Sequence, residues 1–210
     1  MTASELNPMQ QPRRFFLSTA TVALIAATAL TPPAEAQTAG QAAAFIRGTG
    51  TAMVQVVNSE APDQDKAQEM ARIIDQRVAV NEIARFCLGP FWRTASPAQQ
   101  QEYLGLFHRV LVFNIDSKMG EYRGVTFTIT HTAPGQGGQV VGTVIKRPNQ
   151  PPANVDWVVQ DVGGSPKIVD VIAEGTSLKI TQRSDYSSFI IHNNQSIQAL
   201  LNAMKRQLSG

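Results

Sequence analysis

The stretch from Val155 to Ile191 most constrains what this chain can fold into. Its first residues, VDWVVQ, alternate between hydrophobic and polar positions for much of their length, and a β-branched run, KIVDVI, follows after a short loop. That loop contains Gly163 and Gly164, and glycine readily adopts the positive-φ turn conformations that other residues avoid. Two such runs around a Gly-Gly turn predict an antiparallel β-hairpin.

The residues after the hairpin predict a bend and then a helix. Gly175 interrupts the alternation, and Leu178 and Ile180 resume it, so we expect the strand to continue beyond a bulge. Helical spacing begins afterwards, and it is carried by Tyr186, Phe189 and Ile190. A sheet that leads into a helix folding back over it encloses an apolar space.

The remaining sequence places helices on both sides of a strand meander. Helical periodicity predicts segments at about 40–58, around 70–74, and at 81–88, 97–119 and 197–208. Alternation with a period of two predicts strands at 125–130 and 140–146, joined by a turn over 134–138. We expect Gly48 and Gly50 to weaken the first helix. This order of elements predicts an α+β fold with four to five antiparallel strands.

The longest predicted helix begins at a strong sequence signal. Ser96 is an N-cap residue, Pro97 suits the first helical position, and Gln99 completes a capping box. One hydrophobic stripe then runs from Tyr103 to Met119. At about 1.5 Å per residue this helix spans roughly 33 Å, the width of a small domain. We therefore expect it to form the back wall for the sheet.

No constellation of catalytic or metal-binding residues stands out. Three histidines are present, and none has a second His, Cys or carboxylate at ligand spacing. We expect His108 to be solvated, Asp170 and Glu174 to form structural ion pairs, and Cys87 to be a buried inert thiol. A net charge of +2 gives no basis for nucleic-acid binding. The sequence therefore predicts no catalytic residues, no metal and no cofactor.

The first 36 residues have the features of an export signal. Arg13 and Arg14 precede an apolar segment that is too short for a membrane span of about 20 residues. The sequence Ala34-Glu35-Ala36 fits an A-x-A cleavage site, which predicts a cleaved signal peptide over 1–36 and a single domain over 37–210. The RRFFL sequence fits the twin-arginine motif as well as a general secretory signal, so both export routes stay open. We expect a periplasmic protein.

Several stretches resemble the MlaC/toluene-tolerance family. They are VDWVV, KIVDV, EGTSL and QRSDYSSFI in the second half, and IARFCLGPFWRTASPAQQQEYLGLF from Ile83 to Phe107. The similarity covers most of the chain beyond Ala42. Members of this family are periplasmic lipid carriers of the system that maintains lipid asymmetry, and a closely similar branch is associated with hopanoid biosynthesis. The resemblance implies a curved antiparallel sheet wrapped by helices, of NTF2-like shape.

The resemblance also implies a function and partners. We expect a lipid carrier that shuttles a phospholipid, or a hopanoid-type lipid, between the inner and outer membranes. Its implied partners are an inner-membrane ABC lipid transporter complex and an outer-membrane lipoprotein complex, and no nucleic acid. The alternatives are a lipid-modifying enzyme of NTF2-like shape and a structural subunit with a filled core.

The residues expected to hold the lipid are hydrophobic and line an apolar pocket. An acyl chain gains its binding free energy from burial, so its site needs shape and dryness and leaves no motif. Periodicity alone favours a closed core, whereas the family resemblance favours a pocket. The predicted lipid-binding residues are Phe107, Val110, Phe127, Val144, Trp157, Val159, Val171 and Phe189.

Overall fold

The computed structural model describes residues 38–209, so the predicted signal peptide lies outside the described residues. Six α-helices are present in this part of the chain: α1 Ala39–Asn58, α2 Asp63–Arg77, α3 Val80–Leu88, α4 Pro97–Asp116, α5 Leu178–His192 and α6 Ile197–Gln207. Five strands lie between α4 and α5: β1 Thr126–Gly135, β2 Gly138–Lys146, β3 Ala153–Asp161, β4 Pro166–Ala173 and β5 Thr176–Ser177. None of the helices in the described residues has the length and hydropathy to cross a membrane.

The five strands form one antiparallel sheet in the order β1-β2-β3-β4-β5, which confirms the predicted α+β class. The predicted hairpin joins β3 to β4, with Gly163 and Gly164 at φ values of 63° and 80°. The loop between β1 and β2 is shorter than predicted, because Gly135 already pairs with Gly138. The two residues between them form a tight hairpin turn.

Capping boxes set the beginning of α1 and α4. The Ser96 hydroxyl accepts a hydrogen bond from Gln99 N, and the Gln99 side chain accepts one from Ser96 N, as the sequence predicted. Thr38 and Gln41 make the same reciprocal pair at α1. Although Gly48 and Gly50 lie in its middle, α1 continues without interruption to Asn58.

The prediction of a strand through Leu178 and Ile180 is wrong. Only Thr176 and Ser177 pair with β4, and Leu178 is the first residue of α5. The Ser177 hydroxyl caps this helix by accepting a hydrogen bond from Ile180 N at 3.2 Å. The two hydrophobic side chains that suggested a strand are therefore on the first turn of a helix, 50% and 59% exposed.

Hydrophobic side chains form one large cluster and two smaller ones. The large cluster joins the helices to one another, and it includes Val56 and Val57 at the end of α1, together with Tyr103, Phe107 and Leu201. The second joins the beginning of α1 to the sheet, and the third joins Ala79 to Val158 and Val169. Helix α1 therefore contributes to the large cluster and to the second one.

Strand β1 forms one edge of the sheet and carries two features that limit further strand pairing. A register shift between Ile129 and His131 marks a β-bulge at Thr130, and Pro134 lacks a backbone N–H donor. At the other side, Val78 forms a parallel bridge with Ile168, and Ala79 N donates a hydrogen bond to Ile168 O at 2.9 Å. The chain entering α3 therefore covers the part of β4 that β5 leaves unpaired.

Candidate functional site

One face of the sheet is apolar and lies against helix α1; we call it the inner face. The strand register places paired residues on the same side, so it identifies the members of this face. They are Phe127, Ile129, Val141, Thr143, Ile145, Val155, Trp157, Val159, Ile168 and Val171. Four of the predicted lipid-binding residues, Phe127, Trp157, Val159 and Val171, are therefore brought together on one surface.

The first half of α1 covers this inner face. Ala42, Phe45 and Ile46 are buried in one cluster with Val141 and Val159. Farther along α1, Gly50 allows the Phe127 ring to lie against the helix backbone, because a Cβ there would be 2.5 Å from the ring. The sequence did not predict these α1 residues as part of the site. Their helical spacing was visible, but nothing in it indicated which element they would cover.

The inner face is covered by α1 but not fully sealed. Phe127, Ile129, Trp157 and Val171 each keep part of their surface exposed, whereas Val141 and Val159 beside them are completely buried. All four of these side chains are hydrophobic. Such a surface can accept more apolar material without losing a hydrogen bond.

The polar groups around Trp157 on the inner face are already paired. The Trp157 indole N–H donates to Thr143 Oγ1 at 2.9 Å, and the Thr143 hydroxyl donates to Val155 O at 2.8 Å. Both side chains are thereby fixed in orientation, and neither hydroxyl nor indole requires a ligand partner. The face therefore offers shape and hydrophobic surface, with no directional contact to reacting atoms.

Val144 lies on the opposite face of the sheet, so it does not line the surface formed by Phe127 and Trp157. It pairs with Asn154 and Thr128, whereas Trp157 pairs with Val141. The prediction failed because β2 carries hydrophobic residues on both faces, and alternation then does not select the inner one.

The outer face near Val144 carries an ion pair. The His131 side chain crosses over Gly142, and a Cβ at Gly142 would collide with the imidazole ring. The Nε2 atom of His131 lies 3.9 Å from Asp156 Oδ1. This arrangement spans three strands on the surface away from α1.

The other three predicted lipid-binding residues belong to the helix cluster. Phe107 and Val110 are buried on α4, and Phe189 packs on the same cluster from α5. Tyr186 contacts the Phe107 ring edge-on, with centroids 6.3 Å apart. Burial raises the pKa of the Tyr186 hydroxyl well above its ordinary value. These residues belong to the helix cluster and are not members of the inner face.

Two clefts open elsewhere on the described residues. One, of about 230 Å³, lies between α5 and α6 and is lined in part by Tyr186, Phe189 and Met204. The other, of about 250 Å³, lies beside the beginning of α3. Both fall below the roughly 300 Å³ at which small-molecule pockets begin. Neither extends along the inner face.

The titratable groups have structural partners. His108, predicted to be solvated, is partly exposed, and its Nε2 lies 2.6 Å from Asp75 Oδ1, which links α4 to α2. Asp170 is buried and accepts hydrogen bonds from Val171 N at 2.8 Å and from the Ser177 hydroxyl at 2.6 Å. Glu174, at φ 47°, accepts one from Asn154 N at 2.6 Å and holds the bend after β4.

Cys87 is fully buried, and burial raises the pKa of its thiol to about 12. A thiol that stays protonated is a poor nucleophile. No group of three or more His, Cys, Asp or Glu within residues 38–209 is arranged to hold a metal ion. The inner face thus has no acid–base pair or nucleophile beside it in the described part of the chain.

Comparison with known proteins identifies the family. The family model for MlaC protein matches residues 47–206, which is most of the chain. The chain belongs to the MlaC family. The match includes the sheet, the helix cluster and the second half of α1, whereas the first residues of α1, up to Ile46, precede the matched range.

A solved structure shares this MlaC architecture. It is described as the phospholipid-binding protein from Ralstonia solanacearum in complex with a phospholipid. The two chains superpose with a TM-score of 0.68 at 18% sequence identity, covering 80% of this chain and 99% of that chain. At this identity the similarity shows a common fold.

Proposed function

We propose that this protein is a carrier that binds the acyl chains of a lipid against the inner face of its sheet. The observation that carries the proposal is an apolar, partly exposed face, formed by residues such as Phe127, Trp157 and Val171, in a chain of the MlaC family. The lipid-bound relative with the same fold supports it. A carrier role fits better than an enzyme role because no acid–base pair or nucleophile lies beside this face in the described part of the chain.

The physical basis is burial of hydrocarbon. Each methylene that leaves water contributes about 0.8 kcal/mol, so a chain of sixteen carbons gains on the order of 10 kcal/mol. This gain requires no hydrogen bond to the lipid tail. A site of this kind holds lipids of different headgroups, provided that the headgroup stays in water.

We also propose the setting in which the carrier works. The protein is exported to the periplasm after cleavage behind Ala36, and it shuttles lipid between an inner-membrane ABC transporter complex and an outer-membrane lipoprotein complex. The sequence of residues 1–36 and the family support this setting. N-terminal sequencing of the exported protein should give a chain beginning at Gln37, and a chain that still begins at Met1 would contradict export by this signal.

The lipid can be identified directly. Purified protein is extracted with organic solvent, and the extract is analysed by mass spectrometry. We expect a stoichiometric phospholipid, and a hopanoid would assign the chain to the hopanoid-associated branch. Protein that is folded, carries no lipid and takes up none from vesicles would contradict the proposal.

A pair of variants tests whether the inner face is the site. Val171 and Val144 are both half-buried strand residues, but Val171 is on the inner face and Val144 on the outer one. Val171→Arg places a charge against the acyl chains, so we expect bound lipid to fall at least tenfold. Val144→Arg should retain lipid, because its long side chain extends into solvent from the outer face.

The measurement is lipid per folded protein, with circular dichroism as the check on folding. A second readout is quenching of Trp157 fluorescence by a brominated phospholipid, with Trp157→Phe leaving Trp92 as the reference fluorophore. Equal loss of lipid in both arginine variants, or unquenched Trp157 in a loaded protein, would move the site away from the inner face.

A further inference from the structure

The first half of α1 is attached to the sheet in a different way from the second half. At the end of α1, Asn58 Oδ1 accepts a hydrogen bond from Gly124 N at 2.7 Å, and Asn58 Nδ2 donates to Val125 O at 3.3 Å. Val56 and Val57 add packing in the large helix cluster. The second half of α1 is thus held to the protein by directional bonds as well as by burial.

The segment over residues 39–47, which we call the lid segment, has no such bonds. Its side-chain hydrogen bonds in the described structure are local, between Thr38 and Gln41 and from Thr49 to Phe45 O. Ala42, Phe45 and Ile46 hold it to the inner face by hydrophobic contact alone. A further contact is the guanidinium of Arg77, 5.5 Å from the centroid of the Phe45 ring. Apolar contacts of this kind can be exchanged for an acyl chain without leaving a polar group unpaired.

The two halves meet at the weakest point of the helix. Gly48 and Gly50 lie on either side of Thr49, and glycine is among the least favourable residues in a helix interior. The Thr49 hydroxyl donates to Phe45 O at 2.9 Å, a bond that competes with the helical ladder and often bends helices. A change of direction here would leave the second half of α1 in place.

We propose that residues 39–47 form a lid that swings about Gly48–Gly50 and gives lipid access to the inner face. In the closed form, Phe45 and Ile46 occupy the surface that an acyl chain covers in the open form. Opening exposes Val141, Val159 and Ile168, and the entering chain covers them again. This inference rests on the proposed carrier function for its cargo, but the hinge itself is a property of the protein without lipid.

Two glycines provide a matched pair of variants. A Cβ at Gly48 or at Gly105 would meet no atom within 4 Å, and both residues lie inside long helices, α1 and α4. Replacing either one by alanine favours the helical form about fourfold to fivefold. Only Gly48→Ala stiffens the hinge. Gly50 is unsuitable because its Cβ would collide with Phe127.

The first experiment is amide hydrogen exchange on lipid-free protein. We expect the amides of residues 43–47 to exchange about tenfold faster than those of 52–57, since so short a helix frays once it is released from the sheet, without global unfolding. Gly48→Ala should slow exchange in 43–47 about fourfold to fivefold, and Gly105→Ala should not. Equal exchange rates in the two halves of wild-type α1 would overturn the lid.

The second experiment measures transfer of a fluorescent phospholipid from phosphatidylcholine vesicles to the protein. Gly48→Ala should slow uptake about fourfold to fivefold, and Gly105→Ala should match the wild type. Equal slowing by both variants would overturn the hinge, because it would reflect general stability. If the wild type takes up no lipid, the proposed carrier function fails, and the exchange pattern alone then decides whether the lid exists.

Discussion

At the scale of single residues, the tight contacts of the sheet fall on glycines whose roles differ. Gly138, with φ at 146°, follows the turn between β1 and β2, and a Cβ there would collide with the backbone oxygen of Val159. At Gly142 a Cβ would meet only the His131 ring, which is exposed and free to rotate away. The same substitution should therefore have unequal effects at the two positions.

We expect Gly138→Ala to lower the free energy of unfolding by about 2–3 kcal/mol, since both backbone strain and the collision must be relieved. Gly142→Ala should cost less than about 1 kcal/mol, because displacing His131 breaks only an exposed ion pair. Urea denaturation measures both values. Equal losses of unfolding free energy in the two variants would show that the His131 ring does not move aside in Gly142→Ala.

At the scale of elements, local signals predicted the structure well where they were complete. Gly163-Gly164 predicted the β3–β4 hairpin, and Ser96 with Gln99 predicted the beginning of α4. The beginning of α5 was missed because Leu178 and Ile180 fit a strand as well as a helix over so short a distance. The Ser177 N-cap decides between strand and helix, and in the sequence this cap is marked by one residue alone.

The side of the sheet to which each strand residue points was harder to predict than the presence of the strands. Register shifts at Ile129/His131 and Val158/Val159 change the phase of the alternation within a strand. The inner face is also defined by the packing of α1, which is distant in sequence from the strands. The structure therefore brings Phe127, Trp157, Val159 and Val171 together on one surface and places Val144 on the opposite one.

The junction between β4 and α5 depends on one buried carboxylate. Asp170 is 5% exposed and accepts hydrogen bonds from Val171 N, the Ser177 hydroxyl and Lys179 N. We expect Asp170→Ala to lower the free energy of unfolding by about 3 kcal/mol, because it leaves buried donors without an acceptor. Asp161→Ala is the control, since Asp161 is exposed and holds only the turn at Gly164. Thermal unfolding of the two variants should differ clearly.

At the scale of the whole molecule, buried weak acids make stability depend on pH in the alkaline range. Burial raises the pKa of Cys87 from an ordinary 9.0 to about 12 and also raises the pKa values of Tyr103 and Tyr186. The unfolded thiol ionises near pH 9 while the folded thiol stays neutral. The contribution of Cys87 burial is therefore complete below pH 9 and is lost progressively as the pH rises toward 12.

We expect the free energy of unfolding to fall steadily from about pH 9 upward. Cys87→Ala should reduce this slope by up to about 1.4 kcal/mol per pH unit, even though its stability at pH 7 is lower. Denaturant titrations at pH 7, 9, 10 and 11 give the slopes. Identical slopes for the wild type and Cys87→Ala would show that the thiol ionises equally in both states.

The division of the apolar interior into separate clusters has a consequence for engineering. The large cluster joins the helices and contains none of the inner-face residues Val141, Val159 and Ile168. Changes that rebuild the surface under α1 for a different hydrocarbon shape need not disturb the part that keeps the helices folded. Lipid selectivity and thermal stability can thus be changed separately in this protein. A library of variants confined to the inner face and the first half of α1 should yield new lipid specificities without lowering the melting temperature.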